Sequence, residues 1–94
     1  MDINYELYKV FYYVASTLSF SEASKQLFIS QSAVSQSIKA LEKKLDQTLF
    51  IRSTKKVRLT TEGESLLRHI EPAISLIKRG ESQLLDVGAR GGQL

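Results

Sequence analysis

The chain has 94 residues, 43% of them hydrophobic, which is enough for one small domain with a modest core and too little for a second. It has no cysteine, so disulfides and thiolate-bound metals are excluded as its framework, and a reducing compartment is compatible. The formal net charge is only +3, yet residues 1–50 hold five basic and five acidic side chains while residues 51–79 hold seven and three, so the excess sits in one segment and suits a polyanionic partner.

The N-terminal run MDINYELYKVFYYVAS has an acid at position 2, no basic leader and no apolar stretch long enough to span a bilayer, and it reads as the start of a soluble, untargeted, cytoplasmic protein without membrane contact. Leu7, Val10, Phe11, Val14 and Leu18 recur at helical spacing and predict a first amphipathic helix over roughly residues 4–17. Ser19 and Glu22 stand at capping-box spacing and open a short second helix that runs through Ala23 to about Leu27. FIS is a turn, and Ser30 is placed to cap a third helix over about residues 31–45. Two helices joined by so short a turn form a helix-turn-helix.

In the third helix Val34, Ile38, Leu41 and Leu45 make the core stripe, and the outward stripe carries Ser32, Ser35, Gln36, Lys39 and Lys43. Ser and Gln are mediocre helix formers there, but their short uncharged groups can approach base edges in a DNA major groove while lysines reach phosphates. A solvated polar face is the alternative. The helical period then breaks, and Phe50–Arg52 and Val57–Leu59 read as strands of a small hairpin carrying Arg52, Lys55, Lys56 and Arg58. Such a ribbon can straddle a phosphate backbone or enter a minor groove, or its charges can simply blunt edge pairing, and Arg52 or Arg58 could pair with an acidic neighbour instead.

Thr61 and Glu64, again at capping-box spacing, start a fourth helix with an apolar face of Leu67, Ile70, Ile74, Ile77 and Leu84. Pro72 lies inside it and removes one backbone hydrogen bond. The helix could be a core element of a single chain, but a stripe this long outruns so small a domain, so these side chains are rather expected to be exposed on a protruding helix and to form a homodimer interface. The end, DVGARGGQL, is glycine-rich and aperiodic and reads as a loop or linker. His69 has no ligand cluster around it, and Glu62 and Glu64 suit a helix N-terminus better than acid–base chemistry, so no catalytic or metal site is expected.

The run from Leu7 to Gly63 resembles the N-terminal DNA-binding domain of LysR-type transcriptional regulators. Leu7, Phe11, Ser19, Phe20, Ala23, Leu27, Ser30, Gln31, Ala33, Val34, Ser35, Ile38, Leu41, Glu42, Leu45, Leu49, Phe50, Arg52, Val57, Leu59, Thr60 and Gly63 match its framework. The chain departs from it at Ser32, where the family usually has Pro, at Ser24, where it has Ala, and at Leu18 and Asp46, where it has Gly. Asp46 in particular removes the usual glycine at a helix end.

The resemblance implies a mainly α fold, a winged helix-turn-helix with a three-helix core and a two-stranded wing over residues 1–60, a linker and dimerisation helix over 61–87, and a hinge over 88–94. It implies a DNA-facing set of Ser30, Gln31, Ser32, Ser35, Gln36, Lys39, Arg52, Lys55, Lys56 and Arg58, with Arg52 at the base of the wing. No cofactor is expected in this segment, and a small-molecule co-inducer is implied for an effector domain beyond it. The partners expected are a double-stranded operator with inverted half-sites and a second copy of the chain, with higher oligomers in the full-length protein. A winged helix used only for protein association would share the fold but would not need a Ser/Gln stripe beside a basic hairpin.

Overall fold

The computed structural model describes residues 3–89 as α1 (Tyr5–Thr17), α2 (Phe20–Leu27), α3 (Gln31–Leu45), β1 (Phe50–Arg52), β2 (Val57–Leu59) and α4 (Thr61–Ala89). Each of the first three helices begins on a side-chain oxygen that accepts an otherwise orphaned amide. Asn4 Oδ1 takes the Glu6 N–H at 3.1 Å, Ser19 Oγ that of Glu22 at 3.0 Å, and Ser30 Oγ that of Ala33 at 3.0 Å. Half of the expected capping box at Ser19 is replaced, since the Ser19 N–H donates to the Thr17 hydroxyl at 3.3 Å. The fourth helix is capped one residue earlier than the Thr61/Glu64 spacing predicts. Thr60 Oγ1 accepts from the Gly63 N–H at 3.0 Å and donates to the Thr48 carbonyl at 2.6 Å, so the capping residue is the one also tied to the preceding loop.

The same three helices end on non-glycine residues in the left-handed region: Leu18 (φ 51°), Phe28 (φ 58°) and Asp46 (φ 54°). After α2 the Ile29 and Phe28 amides return to the Ser24 and Lys25 carbonyls at 3.1 and 3.3 Å, and after α3 the Gln47 and Asp46 amides return to Glu42 and Lys43 at 3.0 and 3.3 Å. Both are Schellman closures. Asp46 therefore ends α3 in the conformation that glycine adopts without penalty, at a cost of about 1–2 kcal/mol for an L-residue.

Val10, Phe11 and Val14 of α1, Phe20 and Ala23 of α2, and Val34, Ile38 and Leu41 of α3 close on one another and on Leu49 and Phe50. The Phe50 ring sits between Phe11 (centroids 5.5 Å apart) and Phe20 (6.0 Å, 70° between planes), in offset and edge-on arrangements that aromatic rings favour. Burying a side chain such as Phe11 or Leu41, both at 0% exposure, contributes roughly 1.5–3 kcal/mol. Entry into the hairpin is set by α3, because Glu42 Oε2 accepts the Leu49 and Phe50 amides at 2.7 and 3.3 Å. The strands are antiparallel with Phe50 opposite Leu59, Ile51 opposite Arg58 and Arg52 opposite Val57. The turn closes through the Ser53 N–H on the Lys56 carbonyl at 2.8 Å and the Lys56 N–H on Ser53 Oγ at 3.0 Å.

Helix α4 runs alongside α1 and then past the body, in a molecule of 54 × 28 × 20 Å. Its first turn needs Gly63: a Cβ there would collide with the Leu49 carbonyl oxygen and stand 2.9 Å from Leu59 Cδ2. The expectation of a fully exposed apolar stripe is corrected at its N-terminal half. Ile74 is 5% exposed and Leu66, Leu67 and Ile70 are half-buried, because α1 covers this part of α4. Ile77, Leu84 and Leu85 are exposed, at 46%, 76% and 72%. The expected loop beginning at Asp86 is also corrected, since the helix continues to Ala89; isolated glycines such as Gly80 and Gly88 cost about 1 kcal/mol each without stopping it. Of the expected 88–94 hinge, residues 90–94 lie outside the described residues.

Two substitutions test these assignments. Asp46→Gly relieves the left-handed strain and is expected to stabilise the fold by about 1 kcal/mol in a denaturant titration. Gly63→Ala meets backbone on one side and is expected to destabilise by about 1–3 kcal/mol as an overpacking change, read in the same titration.

Candidate nucleic-acid interface

The start of α3 is exposed because Val34, Ile38 and Leu41 turn the opposite face into the core. Ser30, Gln31, Ser32, Gln36 and Lys39 are exposed and Ser35 is half-buried. Ser30 and Ser32 hydroxyls lie 3.2 Å apart, one engaged as the helix cap. Along this surface the helix presents amide and hydroxyl groups, then Lys39 and Lys43, an order that places uncharged donors and acceptors at the N-terminal end and cations behind them.

The hairpin joins this surface through Arg52. Strand pleating puts Phe50 and Arg52 on one face of β1, so the residue two beyond the core phenylalanine reaches back over the same part of the body. Arg52 Nη2 donates to Ser35 Oγ at 3.0 Å, and its guanidinium carbon lies 3.6 Å from the Phe20 ring centroid. An acidic partner was one expectation for this arginine; it has a hydroxyl and an aromatic face instead. Phe20, Gln31, Ser32, Ser35, Arg52 and Val57 line an open cleft of about 380 Å³ between α3 and the wing.

The four basic residues of the hairpin do not share one direction. Lys55 and Lys56 sit at the turn, and Arg58, paired with Ile51, lies on the strand face opposite to Arg52. All are exposed. Two contributors to this surface were not singled out from sequence. Phe20 and Glu42 read there only as parts of a family framework. Neither gives a local signal for its role, because the partners of both come from the hairpin.

His69 Nδ1–H donates to the Ser65 carbonyl at 2.9 Å, one turn back along α4. Among the described residues no group of three His, Cys, Asp or Glu side chains is placed to hold a metal ion, and no helix is long and apolar enough to cross a membrane. Of the expected dimer residues, Leu67 and Ile70 are half-buried, Ile74 is buried, and Ile77 and Leu84 are exposed.

Residues 5–64 match the model of a family described as bacterial regulatory helix-turn-helix protein, lysR family. The chain is 40% identical over 74 residues to the HTH-type transcriptional regulator PerR of Escherichia coli (strain K12), covering 79% of this chain and 25% of that protein. It is 42% identical over 94 residues to the HTH-type transcriptional regulator YfeR of Shigella flexneri, covering 98% and 30%. The chain thus spans less than a third of the curated relatives it matches. Among solved structures it resembles CbnR_DBD in a crystal structure of its DNA complex, with a TM-score of 0.78 and 26% identity over 92% of this chain and 99% of that one. The matched segment runs from the first turn of α1 into the first turn of α4 and so takes in the helix-turn-helix and the wing, and on that match the chain belongs to the lysR family of bacterial regulatory helix-turn-helix proteins.

Proposed function

We propose that the chain is the DNA-binding module of a transcription regulator, with α3 in the major groove of double-stranded DNA and the hairpin on the backbone or in the minor groove. The observation that carries this reading is the exposed Ser/Gln surface of α3, continuous with an arginine anchored on it from the wing. Gln31 and Gln36 offer amides that can bond bidentately to adenine, and Ser30, Ser32 and Ser35 offer hydroxyls to bases or phosphates. Lys39, Arg52, Lys55, Lys56 and Arg58 supply cations for the backbone. The DNA complex formed by CbnR_DBD supports the same use of this fold. The role is binding and not catalysis, as the regulator names of the relatives suggest, and the place of action is the cytoplasm, at the nucleoid.

Residues 1–60 form the DNA-binding unit in this reading and residues 61–87 a dimerising linker. An apolar trough of about 370 Å³ runs between the start of α1 and α4, lined by Tyr5, Tyr8, Leu66, Ile70, Ala73 and Ile77 among others. A second copy of α4 would fill it and cover Leu84, each aliphatic side chain contributing roughly 1.5–3 kcal/mol before association costs. Two-fold symmetry then demands an operator with inverted half-sites. In the full-length regulator, a small-molecule co-inducer acting on an effector domain outside this chain would control the arrangement of such dimers and their higher oligomers.

Titration of labelled duplex at several salt concentrations tests the first part. Log affinity is expected to fall linearly with log salt, by about 0.9 per phosphate neutralised. Gln31→Ala and Gln36→Ala are expected each to lose roughly 1–3 kcal/mol of discrimination between operator and random duplex with non-specific binding nearly intact. Unchanged operator preference in both would refute groove reading by α3.

The dimer is tested at residues that the fold leaves exposed. Replacing Ile77 and Leu84 together by Asp is expected to give a folded monomer in sedimentation, with half-site binding retained and binding to the inverted repeat weakened at least ten-fold, about 1.4 kcal/mol. Sedimentation of the unmodified chain as a monomer at high micromolar concentration would overturn it.

A further inference from the structure

We propose that Phe20 is a positioning residue for nucleic-acid binding: its ring holds the Arg52 guanidinium against Ser35, so that the wing and α3 meet a DNA phosphate as one preformed surface. The inference rests on the DNA-binding reading above and adds to it a residue that contacts no DNA. The Phe20 ring is 8% exposed, and one edge-on neighbour, Phe50, is itself packed on Phe11. That ring is therefore immobile. It is also covered by the exposed, flexible side chain of Arg52. At 3.6 Å from centroid to guanidinium carbon the cation lies in contact over the ring, the geometry in which an aromatic face attracts a cation. The hydrogen bond from Nη2 to Ser35 then sets the rotation of the guanidinium about that contact.

The contact with the ring uses none of the guanidinium's hydrogen-bonding capacity towards an oxygen acceptor. Arg has five N–H donors, and among the described residues the one side-chain acceptor engaged is Ser35 Oγ. The nearby Glu42 carboxylate is engaged through its Oε2 by the Leu49 and Phe50 amides. Arg52 lines the cleft together with Gln31 and Ser32. A planar fork of donors next to hydroxyl and amide groups recognises an anion with several acceptor oxygens, which on DNA is a backbone phosphate. Ser35, accepting from a cation, keeps its own proton free to donate to the same anion or a base. An arginine held in one rotamer before binding loses less freedom when it binds, so the aromatic platform raises affinity without touching the ligand.

The bland alternative is that Phe20 only fills the core, a role Leu can share. The test therefore compares Phe20→Leu, which removes the aromatic face, Phe20→Tyr, which keeps it, Arg52→Ala, and the Phe20→Leu/Arg52→Ala pair, with thermal unfolding measured for each. Binding of a labelled mixed-sequence duplex at low salt is expected to weaken about three- to ten-fold in Phe20→Leu and to stay within about two-fold of unmodified in Phe20→Tyr. In the Arg52→Ala background Phe20→Leu is expected to have no further effect. An equal loss in both backgrounds, or none in either, overturns the proposal. In DNA-free protein the Arg52 side-chain NMR resonances are expected to be displaced upfield by the ring, to stay so in Phe20→Tyr and to move back in Phe20→Leu; their absence from upfield positions in the unmodified chain would overturn the latch itself. Failure of the unmodified chain to bind duplex in a salt-dependent way would instead overturn the DNA-binding reading, with the NMR result still deciding the geometry.

Discussion

Glu42 sits on α3 and points its carboxylate at the backbone of the next element, where it accepts the Leu49 and Phe50 amides at 2.7 and 3.3 Å. Hydrogen bonds to an ionised acceptor are among the stronger ones in proteins, and these two determine where the chain enters the hairpin relative to α3. Phe50 is thereby delivered between Phe11 and Phe20. Two residues on, strand pleating delivers Arg52 over the other face of Phe20 and onto Ser35. The Leu49 carbonyl, facing the other way, receives the Thr60 N–H at 3.0 Å and lies against Gly63. One side chain on the proposed recognition helix thus links α3 to the wing, the aromatic core and the start of α4.

Rigidity around this point explains how a modest core can present an orderly surface. The Ser/Gln face of α3 is fixed from below by Val34, Ile38 and Leu41, at its start by the Ser30 cap and at its end by Asp46 in the left-handed conformation. Lys44 approaches the Tyr8 ring at 5.9 Å and adds a contact between the end of α3 and α1. The three non-glycine residues at positive φ each cost conformational energy that the surrounding packing has to offset. Helix α4 differs: beyond Ile74 it has few contacts with the body, and the apolar residues on it are exposed.

Much of the fold was legible from residues close in sequence. The core stripe of α1 as far as Val14, that of α3, the caps at Ser19 and Ser30, the hairpin strands and the family resemblance correspond to what the structure shows, whereas Leu18, expected in the α1 stripe, is 45% exposed as the helix's left-handed cap. At α4 capping-box spacing points to Thr61, whereas the cap is Thr60, the threonine that also reaches the Thr48 carbonyl. Ile74 looked like part of an exposed stripe because periodicity distinguishes the faces of a helix without saying what covers each one. The glycine-rich end looked like a loop because glycine weakens helices, although a helix already propagating needs more than that to stop.

What this sequence determines by itself is what neighbours within one or two turns can settle: helix and strand identity, caps, the side of α3 that faces water, and the chemistry offered there. Those signals are local because helix hydrogen bonds span four residues and strand faces alternate every two. Tertiary structure alone decided that Arg52 belongs to Ser35, 17 residues earlier, and to Phe20 before that, that Glu42 holds the strand, and that Arg58 faces away from Arg52. No periodicity carries this information. Arginine and glutamate side chains are long enough to reach many partners, and which one is met depends on where Phe50 packs, a position set jointly by three helices and the hairpin.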